Sequence, residues 1–160
     1  MTRFLGIDLG ERRIGLAIAE ALDDRARPLA TIRRGTTAAD DAATLQMLID
    51  DHAIDDIVVG LPLDASGVEG TQARRTIDWA AAVGTALGRE MSYRDERLSS
   101  HLAEQRLGPM PRGRSGGPPT AHQRTVYRAR VDREAAAIIL QDELDARLGA
   151  SAGAQHGSTS

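Results

Sequence analysis

The chain has 160 residues, of which 41% are hydrophobic and 2% aromatic; this suits one globular domain with an aliphatic core and excludes a disordered chain. It contains no cysteine, which excludes disulfides and thiolate metal sites, and its net charge of −3 excludes a uniformly basic nucleic-acid binder. No apolar run suits a signal peptide or a membrane span, so a cytoplasmic protein without a membrane partner is expected.

Residues 3–9 (RFLGIDL) form a compact apolar run that reads as a strand. Residues 14–19 (IGLAIA) read as a second strand, close enough to the first for a hairpin. Residues 28–33 supply a third. Gly35-Thr36-Thr37 then offers a helix cap, and Ala42, Leu45, Leu48 and Ile49 recur at helical spacing up to about His52. Residues 56–61 (DIVVGL) are apolar and β-branched, as a strand covered on both faces should be. Residues 71–87 read as a helix, 90–94 as a weak last strand, and the segment after Ser99 as a short helix to Leu107. Residues 108–120 hold four prolines and four glycines and read as a flexible loop. The last helix is expected from about Val126 to Leu148, stopped by Gly149. The order β-β-β-α-β-α-β-α-α predicts an α/β fold, a mixed five-stranded sheet with helices on its faces. The domain is expected over 1–149, with a disordered tail over 150–160.

Three acids stand where acids should be scarce. Asp8 interrupts the apolar run of the first strand. Glu96, beside Asp95, follows the last strand. Asp132 opens the stripe Asp132, Ala136, Ile139 and Leu140 on one face of the final helix. A buried acid costs several kcal/mol unless it is paired or bound to metal. A strand-one acid and a final-helix acid could meet at one edge of the sheet. Phosphodiester cleavage has use for such a cluster: two divalent ions roughly 4 Å apart stabilise the attacking and leaving oxygens together. Mg²⁺ and Mn²⁺ prefer carboxylate oxygens. Each acid also has a plainer reading. Asp8 could pair with Arg12 or Arg13, Glu96 could be solvated, and Asp132 could pair with Arg128 one turn back.

The basic residues are unevenly placed. All 20 are arginine, and from Gln105 to Val131 there is no acid but there are six arginines. Arg112, Arg114, Arg124, Arg128 and Arg130 therefore form a candidate phosphate clamp. The plainer reading is a solvated loop. Phe4 and Trp79 sit at core positions, Tyr93 and Tyr127 are near-site candidates, and the paired aspartates 40–41, 50–51 and 55–56 read as a solvated acidic face.

The motifs GIDLGERRIGLA at 6–17, VVGLPLDASGVEG at 58–70, DERLSSHLAE at 95–104 and VDREAAAIIL at 131–140 occur in an order that resembles the YqgF/RuvX family. The resemblance spans roughly residues 3–148. It implies an RNase H-like fold, related to the RuvC Holliday junction resolvases, and a metal-dependent nuclease, with endonucleolytic cutting favoured. Members are linked to processing the precursor of small-subunit ribosomal RNA, and some are described as junction resolvases. Carried over by motif, the catalytic and metal-holding acids are Asp8, Glu96 and Asp132, with Asp95 a further candidate. The expected cofactor is Mg²⁺ or Mn²⁺, two ions. Arg97 of the DER motif and Arg13 join the arginines above as phosphate contacts. The sequence departs from the family pattern after Leu63, where it reads Asp64-Ala65-Ser66-Gly67, and the role of Asp64 is open. The implied partner is RNA, or branched or single-stranded DNA. Resolution of a symmetric junction would call for a homodimer.

Two other functions compete. GIDLG also resembles the phosphate loop of the actin and sugar-kinase group, but those enzymes close two such domains on ATP and this chain has one. A non-catalytic nucleic-acid-binding module is the other alternative, and the presence of all three acids argues against it.

Overall fold

The computed structural model describes residues 1–63, 70–96 and 99–156. Its strands are β1 (Phe4–Leu9), β2 (Arg13–Ala19), β3 (Arg27–Arg33), β4 (Asp56–Leu61) and β5 (Ser92–Asp95). The helices are α1 (Ala38–His52), α2 (Thr71–Leu87), α3 (Ser99–Leu107) and α4 (Ala121–His156). The strands form one sheet in the order β3-β2-β1-β4-β5. β1, β2 and β3 pair antiparallel, while β4 and β5 pair parallel, as hairpin links followed by helical crossovers require.

Side-chain alternation sorts the sheet into two faces. Leu5, Ile7, Leu9, Leu16, Ile57 and Val59 pack beneath α1 and α2, with Leu45, Ile49, Trp79 and Val83. Phe4, Ala17, Ala19 and Val58 face α4, through Ala136, Ile139, Leu140 and Leu144. Each fully buried Leu, Ile or Val contributes roughly 1.5–3 kcal/mol over its exposed state. The α4 face uses small residues because the helix lies close to the strands. A Cβ on Gly15 would overlap the backbone carbonyl of Asp132.

α1 starts at the expected cap: Thr37 Oγ1 accepts from the Asp40 amide at 3.2 Å, and Asp40 answers the Thr37 amide. α4 departs from expectation at both ends. It begins at Ala121, because Thr120 and Gln123 exchange side-chain-to-backbone hydrogen bonds at 2.8 and 3.1 Å. It also runs through Gly149 to His156, so residues 150–156 are helical rather than the expected disordered tail. Gly149 keeps a negative φ, and the alanines around it favour helix. Residues 157–160 of that tail lie outside the described residues. The loop over 108–120 contains a 3-10 turn, Arg114–Gly116.

The aspartates 40–41 are not a solvated pair. Asp41 is buried and accepts from Trp79 Nε1 at 2.9 Å and the Gly35 amide at 2.7 Å. Asp56 binds Arg147 Nη1 at 2.7 Å.

Candidate nuclease site

Asp8 stands near the C-terminal end of β1. Alternation along the strand puts Phe4, Gly6 and Asp8 on the α4 face. Directly across on β2 is Gly15. The bare glycine lets α4 settle onto β2 at Asp132, which brings a helix carboxylate to the end of β1. Glu96 arrives from the other side, just past β5. Its amide donates to the Leu61 carbonyl at 3.1 Å, and its own carbonyl accepts from the Ser99 amide and hydroxyl, both at 3.0 Å. The Glu96 carboxyl fills the space beside Gly60, where a Cβ would lie 2.6 Å from Glu96 Oε2.

These three acids line one cleft of about 500 Å³, together with Gly10, Pro62 and Thr71. Within it Asp8 and Glu96 are hydrogen-bonded to each other, so one carboxyl carries a proton. Glu96 is pushed far above the ordinary carboxylate range, chiefly by burial, then by the charge and hydrogen bond of Asp8 and by Asp95. Burial raises Asp8 as well; its hydrogen bond with Glu96 pulls the other way and the Asp132 charge adds to the rise. Asp132 is engaged differently. Arg13 Nε donates to its Oδ2 at 2.6 Å, an ion pair that joins β2 to α4. The β1–β2 turn that precedes Arg13 is held by Arg34, whose Nη1 donates to the Gly10 carbonyl at 3.0 Å.

Among the described residues no group of three or more His, Cys, Asp or Glu side chains stands ready-made as a metal cage. Asp8 and Glu96 face each other, and Asp132 is held by Arg13. The donor set nevertheless suits a hard divalent ion. Glu96 Oε2 is buried and has no hydrogen-bond partner, an orphan that costs free energy until something binds it. Two facing carboxylates are what a divalent cation neutralises.

A pH dependence follows for metal-free protein. Carboxyls whose folded-state pKa is raised bind more protons folded than unfolded, so stability falls as pH rises above the ordinary values of 3.8 and 4.5. Thermal melts in EDTA should show Tm dropping from pH 5 to pH 8, and Mn²⁺ at pH 8 should restore it. A Tm flat across that range contradicts the proton-sharing pair.

The chain matches the family model described as RuvX, Holliday junction resolvase, over residues 2–146. The chain belongs to the RuvX family. A relative from Anaeromyxobacter dehalogenans (strain 2CP-1 / ATCC BAA-258), named "Putative pre-16S rRNA nuclease", is 43% identical over 91% of this chain and 98% of its own length. One of the same name from Thermosynechococcus vestitus is 40% identical over 92% of this chain and 90% of its own. Among solved structures, T. thermophilus RuvC in complex with a Holliday junction substrate aligns with a TM-score of 0.52 at 18% identity, covering 93% of this chain and 97% of that one. That likeness supports the RNase H-like α/β fold.

In this RuvX member the expected site residues divide into groups. Asp8, Glu96 and Asp132 share the cleft. Asp95 pairs with Leu61 at the end of β5 and raises Glu96 through its charge, but does not line the cleft. Arg97 and Asp64 lie outside the described residues. Arg13, Arg128 and Arg130 line depressions that continue from the cleft along α4. Arg112 and Arg124 are turned to their own loop, donating to the carbonyls of Gly116 and Pro119. Arg114 sits exposed in the 3-10 turn. Tyr127 lines the same depressions, whereas Tyr93 lies by the C-terminal end of α2. Sequence reasoning missed the Arg13–Asp132 pair and Gly15 as the seat of α4; the resemblance placed Gly60 near the site, but not as the space that the Glu96 carboxyl fills. All lie inside the quoted motifs, but only the register shows what they face.

Proposed function

We propose that this protein is a divalent-metal-dependent nuclease, with Asp8, Glu96 and Asp132 as its metal-holding and catalytic carboxylates. The observation that carries the reading is the Asp8–Glu96 pair with its buried, unpartnered Glu96 oxygen, in a cleft that Asp132 also lines. Mg²⁺ or Mn²⁺, when bound, supplies Lewis-acid charge stabilisation at the phosphodiester. The chain's own residues do the rest. Gly15 and Gly60 fix where the acids stand. Asp132 joins the set by leaving Arg13, and the freed guanidinium is then placed to meet a substrate phosphate. Pro62 and Leu63, with Gly70, Thr71 and Gln72, also line the cleft.

The substrate class follows the relatives, which are named for the precursor of 16S rRNA and cover nearly the whole chain. We infer endonucleolytic trimming of that precursor in the cytoplasm. The description of the family model favours a second reading, resolution of Holliday junctions, which needs a two-fold dimer. A parallel cleavage assay separates them. Wild-type protein with Mn²⁺ is given precursor rRNA, a four-way junction and single-stranded DNA, with Asp8→Asn as the blank. Cutting of the RNA by monomeric protein supports the first reading. Symmetric junction cutting by a dimer supports the second, and no cutting of any substrate overturns both.

The arginines should not contribute equally. Replacing Arg112, Arg114 and Arg124 together by alanine should weaken substrate binding about threefold or less. Arg128→Ala with Arg130→Ala should weaken it about tenfold or more and flatten its salt dependence by roughly two phosphates' worth. Fluorescence anisotropy at several salt concentrations reads both; equal losses contradict the assignment.

A further inference from the structure

We propose that the surface beside α4 is the track of an unpaired nucleic-acid strand leaving the cleft, and that a nucleobase seats in the recess formed by Pro111, Val126 and Tyr127. This rests on the nuclease reading and adds the form of the substrate beside the cut. Three depressions lie in a row. The carboxylate cleft shares Ser100 and Asp132 with a cavity of about 410 Å³ that is also lined by Arg13, Met110 and Arg128. That cavity shares Tyr127 with a recess of about 170 Å³, lined further by Pro111, His122, Val126 and Arg130. From Asp132 back to Gln123 is roughly 13 Å of helix at 1.5 Å per residue, the reach of a short run of nucleotides.

The chemistry along the row suits phosphates and one flat ring. Arg128 and Arg130 are exposed and, among the described residues, neither has an ion pair or a hydrogen bond. Among the described residues Arg13 pairs with Asp132. Among the described residues that line the middle cavity, Glu104 is the one acid besides Asp132. The recess itself is walled by apolar groups. Val126 is 46% exposed there, an apolar side chain held toward solvent in the midst of arginines. Tyr127 is fixed: its hydroxyl donates to the Gly108 carbonyl at 2.8 Å and its ring packs with Ala103, Val131, Ala135 and Ile138. A rigid aromatic wall needs no ordering when a base arrives. A recess of this size lies well below the roughly 300–1,000 Å³ of drug-sized ligand sites. It admits a single ring system turned out of the stack, which a base-paired duplex does not offer.

The test uses wild-type protein in EDTA, so that nothing is cut, and labelled oligouridine, oligothymidine and a blunt duplex of equal length. Val126→Asp places a carboxylate in the recess and Arg130→Ala removes a rim cation; both positions are exposed, so the fold should survive. Each variant should lose about tenfold in affinity for the unpaired strands and little for the duplex. Photocrosslinking of 4-thiouridine oligomers should map to the peptide carrying His122 to Tyr127. Unchanged affinity for unpaired strands, or equal losses on strand and duplex, overturns the track. The outcome is independent of catalysis. If wild type cuts with Mn²⁺ but the variants bind unpaired strands normally, the track falls and the nuclease stands. If the variants lose strand binding but wild type never cuts, the reverse holds.

Discussion

Asp8→Asn is expected to abolish metal-dependent cleavage and, in the same protein, to raise the melting temperature measured in EDTA. The two effects have one cause. Without metal, the Asp8 carboxylate sits beside Glu96 and feels the charge of Asp132 in a site that burial makes unfavourable for charge. Asparagine keeps the shape and a hydrogen bond to Glu96 while removing that charge. The gain should be about 1–2 kcal/mol, or roughly 2–8 °C in Tm for a chain of this size. The loss in rate should be on the order of 10³-fold or more, since several kcal/mol of charge stabilisation goes with the ions. Calorimetry and a gel assay on one preparation measure both. A variant that still cuts, or that melts lower than wild type, contradicts the assignment of Asp8.

Gly15→Ala is expected to be the most damaging small substitution in the sheet. Its new Cβ would overlap the backbone of α4 at Asp132, and backbone cannot swing aside as a side chain can. Relief requires α4 to lift from β1 and β2, which loosens Ala136, Ile139, Leu140 and Leu144 together. The cost should be about 3 kcal/mol or more. Gly149→Ala is the matching control. Nothing lies within 4 Å of a Cβ there, and the residue is helical, so alanine should stabilise by roughly 0.5–1 kcal/mol. Urea titrations of the two variants should shift in opposite directions. A Gly15→Ala protein as stable as wild type would mean that α4 does not rest on β2 at Asp132.

Much of the fold was legible because local and global signals agree. β4 and α2 have the bounds that apolar periodicity predicts, since β4 is buried along its middle and α2 is bounded by Gly70 and Gly88. Phe4 and Trp79 are core residues, as their positions suggest. α4 was misjudged where the signal was punctuation rather than periodicity. Thr120 and Gln123 spell a capping box, but they follow two prolines and read as loop. Gly149 reads as a stop, yet a glycine ends a helix only where the chain turns left-handed, and here it does not.

The site was legible as residue types and not as geometry. An acid in an apolar strand and another on an apolar helix face both pointed to one cluster, and both line the cleft. What periodicity could not supply was the partner of each. Asp132 had a local candidate in Arg128, but its partner is Arg13, 119 residues away, because β2 lies under α4. Asp41 looked solvated because it opens a helix beside another acid; the Trp79 ring nitrogen that needs it comes from α2.

Titration of Mn²⁺ into the protein by calorimetry at neutral pH tests the carboxylate centre most directly. Saturable binding in wild type, lost in both Asp8→Asn and Asp132→Asn while their circular dichroism is unchanged, is the predicted result. Heats in either variant that match those of wild type would place the metal elsewhere and contradict the account.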